Sequence, residues 1–194
     1  MLDLACGSGP VSEYVSGPYV GMDLSRAELL RAQARGLAVA RADAAAVPVA
    51  TGGVDVVTIS MGLMLVPLAE ALAEVRRVLA PGGLLVATLP ASRPLPRRDW
   101  TRYARLALAL RSRLSYPNDQ RLADPAALGV TVLSDVARPF LTRLDRPADA
   151  DLFLDALYLP DVPEARVAAA RDVVRGWIGS EIAVPIRRLV LTWG

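Results

Sequence analysis

The chain has 194 residues, 53% of them apolar and 22% charged, the composition of a globular domain with a sizeable core rather than of a disordered chain. It has no histidine and one cysteine, which excludes Ser-His-Asp and Cys-His chemistry, the common zinc sites and an internal disulfide. A net charge of +2 says little about partners, and all 22 basic residues are arginine, a pattern of coding bias.

A mean hydropathy of +0.34 calls for a membrane test. The uncharged run from Val56 to Ala69 is bounded by Asp55 and Glu70 and falls short of the roughly 20 residues that a spanning helix needs. The stretch from Val78 to Ser92 is broken by Pro81-Gly82-Gly83. No membrane span and no signal peptide are expected, and with a single cysteine the expected compartment is the cytoplasm. The apolar excess reads instead as strands buried on both faces, as in parallel sheets.

In chain order, Met1 to Ala5 reads as a short strand and Pro10 to Ser16 as a short helix stopped by Gly17-Pro18. Tyr19 to Asp23 is a second strand. Ser25 with Glu28 predicts a capping box opening a helix, and Gly36 ends it. Ala38 to Ala42 and the β-branched run Val54 to Ser60 are the third and fourth strands. Leu68 to Leu79 is an amphipathic helix with Leu68, Leu72, Val75 and Leu79 on one face. Pro81-Gly82-Gly83 is a turn, and Leu84 to Leu89 a fifth strand. A helix is predicted over Arg98 to Arg113, with Trp100, Leu106 and Leu110 as its apolar side. Val130 to Val136 reads as a sixth strand. Asp161 to Glu164 opens a helix with the face Val167, Ala170, Val174 and Trp177. Ile182 to Trp193 is a last strand interrupted by Pro185, which belongs at a sheet edge or a strand start. Short links between alternating strands and helices predict a parallel sheet with right-handed crossovers. No repeat or flexible linker divides the chain.

Three constellations carry chemistry. The first is Asp3-x-Ala5-x-Gly7-x-Gly9 between a strand and a helix, where glycines let the backbone approach a ligand. Dinucleotide dehydrogenases use such a loop too, but the third glycine of that pattern is replaced by Ser12. The second is Asp23 at the end of the second strand, where a carboxylate can accept both hydroxyls of a ribose; capping of the following helix is the competing explanation. The third is Asp43, which can accept from an adenine amine while the next backbone N–H meets a ring nitrogen. Alone it would be a surface turn. Three acids at successive strand ends are hard to obtain by chance.

These motifs resemble the class I S-adenosylmethionine (SAM)-dependent methyltransferases, and among them the "type 11" group of ubiquinone- and menaquinone-biosynthesis-like small-molecule enzymes. Leu2-Asp3-Leu4-Ala5-Cys6-Gly7-Ser8-Gly9 resembles the first motif and Gly21-Met22-Asp23-Leu24-Ser25 the second-strand motif. Arg41-Ala42-Asp43-Ala44 resembles the adenine motif, and Asp55 to Ser60 the fourth-strand motif. The most distinctive stretch is Glu74-Val75-Arg76-Arg77-Val78-Leu79-Ala80-Pro81-Gly82-Gly83. The resemblance covers Met1 to about Leu89; beyond that only the layout is family-like.

The resemblance implies a Rossmann-like, doubly wound α/β fold. Its mostly parallel seven-stranded sheet would run in the order 3-2-1-4-5-7-6 with the last strand antiparallel. It implies one domain over 1–194, with a cofactor-binding half (1–90), a lid or substrate segment (91–129) and C-terminal strands and helices (130–194). Asp3, Gly7 and Gly9 would hold the methionine and ribose portion of SAM, with Ala5 where the family's first glycine usually stands. Asp23 would bind the ribose, Leu24 would pack on the adenine, Asp43 and Ala44 would read its edge, and Ser60 and Met61 would line the methyl-transfer side. Family members carry helical sequence before the first strand; here that strand starts at Met1, which implies a chain lacking that cover and a pocket open to water.

The implied activity is transfer of the SAM methyl group to a small-molecule acceptor, with no metal. With histidine absent, Asp99 and Tyr103 are the candidate bases, although packing roles would explain both. Ser60-Met61-Gly62-Leu63 stands where nucleic-acid and glutamine methyltransferases of the adenine-N6 type carry Asn-Pro-Pro-Tyr, so nucleic acid is not the expected partner. Arg93, Arg97, Arg98, Arg102, Arg105, Arg111, Arg113 and Arg121 form either a surface for an anion or a solvated helix face. A non-catalytic SAM- or partner-binding module and, with less support, an NAD-dependent oxidoreductase are the competing functions. The acceptor and the oligomeric state are not encoded in any motif.

Overall fold

In the computed structural model, residues 1–112, 116–159 and 161–193 are described. The strands are β1 (Leu2–Leu4), β2 (Val20–Asp23), β3 (Val39–Arg41), β4 (Val54–Ser60), β5 (Leu79–Pro90), β6 (Thr131–Leu144) and β7 (Ser180–Thr192). The helices are α1 (Arg26–Ala34), α2 (Leu68–Val78), α3 (Arg97–Leu110), the single turn α4 (Asp119–Leu122), α5 (Pro147–Asp155) and α6 (Glu164–Arg175), with 3-10 turns at Pro10–Tyr14 and Pro125–Leu128. The seven strands form one sheet in the order β3-β2-β1-β4-β5-β7-β6. The pairs from β3 to β5 are parallel, and β7 runs antiparallel. The order and the mostly parallel sense are those implied by the sequence. They differ from the 3-2-1-4-5-6 order of dinucleotide-binding sheets.

The chain divides into two compact units. Unit 1 comprises residues 1–89, 116–136 and 187–194; unit 2 comprises 90–115 and 137–186. The division falls close to the expected boundary at residue 90 but runs through the segments 91–129 and 130–194.

In unit 1 the central strand β1 is buried along its whole length, as a strand covered on both faces must be. Helix α2 supplies much of the cover: Leu68, Ala71, Leu72, Val75 and Val78 recur at helical spacing and are buried against a core that includes Leu4, Val57, Ile59, Leu85 and Leu189. Its polar side is tied down as well. Arg77 donates to the Val47 and Val49 carbonyls at 2.7 and 2.8 Å, while Glu74 accepts the Val47 N–H at 2.7 Å and pairs with Arg77 at 2.8 Å. The most distinctive stretch of the sequence therefore staples the β3–β4 connection. In unit 2, α3, α5 and α6 close over Leu106, Leu110, Leu144, Leu154 and Val174. Tyr103, Phe153 and Trp177 pack ring to ring, with centroids 5.8–6.4 Å apart.

Several local expectations are corrected. The predicted capping box is half made: Glu28 N donates to Ser25 Oγ at 3.4 Å, but the Ser25 N–H goes to Asp23 Oδ1 at 2.7 Å and Glu28 pairs with Arg31 instead. The nearer carboxylate displaces the glutamate. Strand β5 begins at Leu79, ahead of the proline–glycine turn, because Leu79 and Leu84 pair with Val54 and Val56 and the residues between bulge outward. Helix α3 ends at Leu110, where Arg111 turns left-handed with φ 48°; Arg113 lies outside the described residues. Its core face is Asp99, Leu106 and Leu110, and Trp100 stays 45% exposed beneath Arg93. β6 is twice as long as predicted. β7 continues through Pro185 although it lies between β5 and β6, and the Pro185 carbonyl still accepts the Ala91 N–H at 3.0 Å. Helix α5 had no expectation; Pro147 in its first turn and Asp149 two residues on were its signal. No helix among the described residues is long and apolar enough to cross a membrane.

Candidate cofactor site in unit 1

The sheet reverses direction between β1 and β4: the chain builds outward through β2 and β3, then returns to lay β4 on the other side of β1. Beyond the carboxyl ends of strands at such a switch point a crevice opens, and ligands of open α/β sheets bind there. The expected residues gather at these ends. Ala5, Gly7 and Gly9 follow β1, Asp23 ends β2 with Leu24 after it, Asp43 and Ala44 follow β3, and Ser60 ends β4 with Met61 after it. Asp3 lies inside β1.

The loop after β1 is held from several sides. Cys6 N donates to the Met22 carbonyl at 3.0 Å and Gly9 N to Cys6 O at 2.9 Å. Arg35 donates to Ser8 O at 2.8 Å and pairs with Glu13 at 2.5 Å. Gly9 has φ 77°, a left-handed backbone that favours glycine, and a Cβ there would push on the end of the Leu37 side chain. Of the three described non-glycine residues with positive φ, two lie at this site: Ala5 at 53° and Met61 at 56°. They flank the switch point, and Ala5 crowds the residue after Met61: a Cβ on Gly62 would lie 2.7 Å from the Ala5 Cβ. Left-handed backbone costs an L-residue about 1–2 kcal/mol, and such strain collects at ligand sites.

The carboxylate of Asp23, half-buried, accepts the Gly7 N–H on Oδ2 at 2.8 Å and the Ser25 N–H on Oδ1 at 2.7 Å. It thus holds Ser25, the N-cap of α1, and braces the glycine loop, with a lone pair on each oxygen still free to accept a diol. Leu24 is 58% exposed, an apolar surface open to a planar ring. Asp43 is exposed and closes an Asx turn onto Ala45 N at 2.9 Å. Ser60 Oγ meets Thr88 Oγ1 at 2.9 Å, and Met61 N donates to Thr88 O.

Asp3 is fully buried. Its oxygens accept from Tyr19 Oη at 2.8 Å and Thr58 Oγ1 at 2.7 Å. Burial raises its pKa above the ordinary carboxylate value, the two hydroxyls pull it down, and the Asp23 charge pushes it up. Cys6, buried beneath the loop beside both carboxylates, has its thiol pushed up to about 12, chiefly by desolvation; it is a packing residue rather than a nucleophile. Tyr19 and Gly62 were not singled out in the sequence. No local pattern marks a tyrosine ahead of β2, whereas Thr58 is the parallel-strand partner of Asp3 and lies in the fourth-strand motif.

The two candidate bases lie in unit 2. Asp99 is fully buried, pairs with Arg102 at 2.8 Å and accepts the Ala183 N–H at 3.1 Å. Tyr103 donates to the Ala183 carbonyl at 2.9 Å, and burial drives its pKa upward. Both anchor α3 to β7. Arg102 is consumed in the same cluster, reaching the Glu181 carbonyl at 3.0 Å, while Arg97, Arg98, Arg105, Arg111 and Arg121 stay at the surface. A cavity of about 510 Å³ in unit 2 is lined by Arg93, Pro94, Leu95, Trp100 and Ala137. A second, of about 460 Å³, lies at the amino ends of β4 and β5, beside Pro81–Gly83 and Trp193.

Residues 2–87 match a family described as a methyltransferase domain. A search of curated proteins finds no match. Among solved structures, the MccD protein is 15% identical, with 100% of this chain and 89% of that one covered at a TM-score of 0.60. A SAM-dependent methyltransferase from Thiobacillus denitrificans, solved with S-adenosyl-L-homocysteine, is 20% identical over 100% of this chain and 84% of that one, at a TM-score of 0.56. The cyclase SpnF is 19% identical over 99% and 74%, at a TM-score of 0.60. At these identities the structures speak for the fold, which serves more than one chemistry. The match over residues 2–87 and the seven-stranded sheet point the same way: this chain resembles a methyltransferase domain in sequence and shares its fold with these structures.

Proposed function

We propose that the chain binds SAM in the crevice above β1 to β4 and transfers its methyl group to a small-molecule acceptor. The observation that carries this reading is the Asp23 carboxylate, braced by the Gly7 and Ser25 N–H groups at the switch point with acceptor capacity left for a ribose. In this reading Gly7 and Gly9 admit the ligand against the backbone, Leu24 covers one face of the adenine, and Asp43 with Ala44 reads its edge. Ser60 and Met61 border the methyl group. The sulfonium of SAM supplies an already activated methyl group, so the protein contributes proximity and alignment.

Asp99 and Tyr103 support structural roles through their bonds to Arg102 and Ala183. Together with the lack of histidine, this favours an acceptor nucleophilic enough to need no dedicated base. Isothermal titration calorimetry with SAM and S-adenosyl-L-homocysteine (SAH) tests the reading. Binding of both in a 1:1 ratio is the expected result; absence of any heat from either would defeat it.

A further inference from the structure

Asp3 is buried, and among the described residues no cation pairs with it. Its two hydrogen-bond donors are neutral hydroxyls, from Tyr19 and Thr58. The charged or titratable groups around it are the Asp23 carboxylate on β2, the Cys6 thiol and the Tyr19 phenol; Arg35 lies near Tyr19, but its guanidinium is committed to Ser8 O and Glu13. Tyr19 fills a space that Gly21 leaves for it: a Cβ at Gly21 would come within 3.0 Å of the Tyr19 hydroxyl and 2.8 Å of Cys6 Sγ. The same hydroxyl lies 3.5 Å from where a Gly9 Cβ would stand, so Tyr19 bridges the floor of the glycine loop and the buried acid.

We propose that Tyr19 is a positioning residue that keeps the Asp3 carboxylate ionised and turned into the sheet beneath the loop. The fixed charge of Asp3, added to that of Asp23, makes the site favour the sulfonium cation of SAM over the uncharged thioether of SAH. The proposal rests on the reading that unit 1 binds SAM. The two ligands differ by one unit of charge and a methyl group. A buried carboxylate acts on such a charge through space, without contact, because low-polarity surroundings screen it weakly. Hydrogen bonds to the ionised form are what keep a buried acid charged. A device of this kind would release the product without weakening the hold on the substrate.

The experiment is calorimetric titration of SAM and of SAH from pH 4.5 to 8.5, with the wild-type chain, Tyr19→Phe and Asp3→Asn. The ratio of the two dissociation constants is the readout. The amino-acid portion titrates alike in both ligands, and a loosened loop weakens both, so neither moves the ratio. The wild type is expected to prefer SAM at neutral pH and to lose that preference as Asp3 protonates in acid. Tyr19→Phe moves the loss to higher pH by roughly one unit, as removal of one hydrogen bond to a carboxylate should. Asp3→Asn lowers the neutral-pH preference about 3- to 10-fold and flattens its pH dependence. Superimposable ratio profiles in the three proteins would overturn the proposal even if Tyr19→Phe weakened both ligands equally, since that is the mark of a purely structural tyrosine. A wild-type chain that bound neither ligand would overturn the SAM reading itself, and this proposal with it.

Discussion

Each unit buries one aspartate completely, and the two are buried differently. Asp99 in unit 2 faces a guanidinium and a backbone N–H, so its charge is balanced where it sits. Asp3 in unit 1 faces two hydroxyls and, further off, another carboxylate. A balanced buried charge holds elements together; an unbalanced one costs stability and leaves a field that a cationic ligand can use. The same contrast runs through the backbone. Unit 1 carries strained alanine and methionine at its strand ends, whereas the left-handed Arg111 of unit 2 ends a helix.

The largest expected effect comes from unsettling the balanced acid. Asp99→Ala leaves the Ala183 N–H without its acceptor and takes the carboxylate from Arg102, which keeps the Glu181 carbonyl and is a quarter exposed, and this softens the loss. About 3 kcal/mol of stability should be lost in urea denaturation, while SAH affinity in the folded fraction stays within about twofold. A large loss of affinity with stability unchanged would reverse the contrast between the units.

Next comes Asp23→Ala, which acts on binding. Two hydrogen bonds that a carboxylate accepts from a diol are worth about 100-fold in affinity, and the Gly7 N–H also loses its acceptor. Calorimetry should show SAH binding weakened by about that factor. Loss of less than about threefold would remove Asp23 from the cofactor site.

How much of this was legible in the sequence follows the same division. Strands β1 to β5 and the ends carrying Asp23, Asp43 and Ser60 were readable because these strands are short, mainly apolar runs with glycine, proline or acidic residues in the links that bound them. Unit 2 was read poorly because its signals compete. Hydrophobicity puts Trp100 on the apolar side of α3, yet Asp99 is the residue buried there, since Arg102 one helical turn on balances its charge. The long β6 was cut short because Arg138, Pro139 and Arg143 look like loop residues, although at a sheet edge both proline and arginine are compatible with a strand. Tyr19 was invisible for a different reason: its partner Asp3 is sixteen residues away, and only the β1–β2 register brings the two together.

A smaller effect concerns the staple on α2. Arg77 and the Val47 N–H hold the Glu74 carboxyl down from 4.5 to about 2. A depressed acid contributes stability that is fully present above its unfolded value and is lost as pH falls through the folded one. Glu74→Gln should therefore make stability less steep between pH 4.5 and 2 than in the wild type, and leave the alkaline side unchanged. Thermal melts across that range check it; parallel acid limbs in the two proteins would show that the staple carries no charge-dependent stability.

The smallest effect is the most informative about the strain at the switch point. Ala5 holds a left-handed backbone where glycine would do so at no steric cost, and its methyl group faces Gly62. Ala5→Gly removes that penalty, about 1 kcal/mol, but it also frees the unfolded chain, which returns a part of the gain. The net change in stability should be a few tenths of a kcal/mol in either direction. Removal of the methyl group also relaxes the contact between the loops after β1 and β4, on both sides of the crevice, so SAH affinity should rise by about two- to fivefold. If stability rises while affinity falls, the methyl group is instead a wedge that holds the crevice open, and the strain at Ala5 and Met61 serves the ligand rather than opposing it.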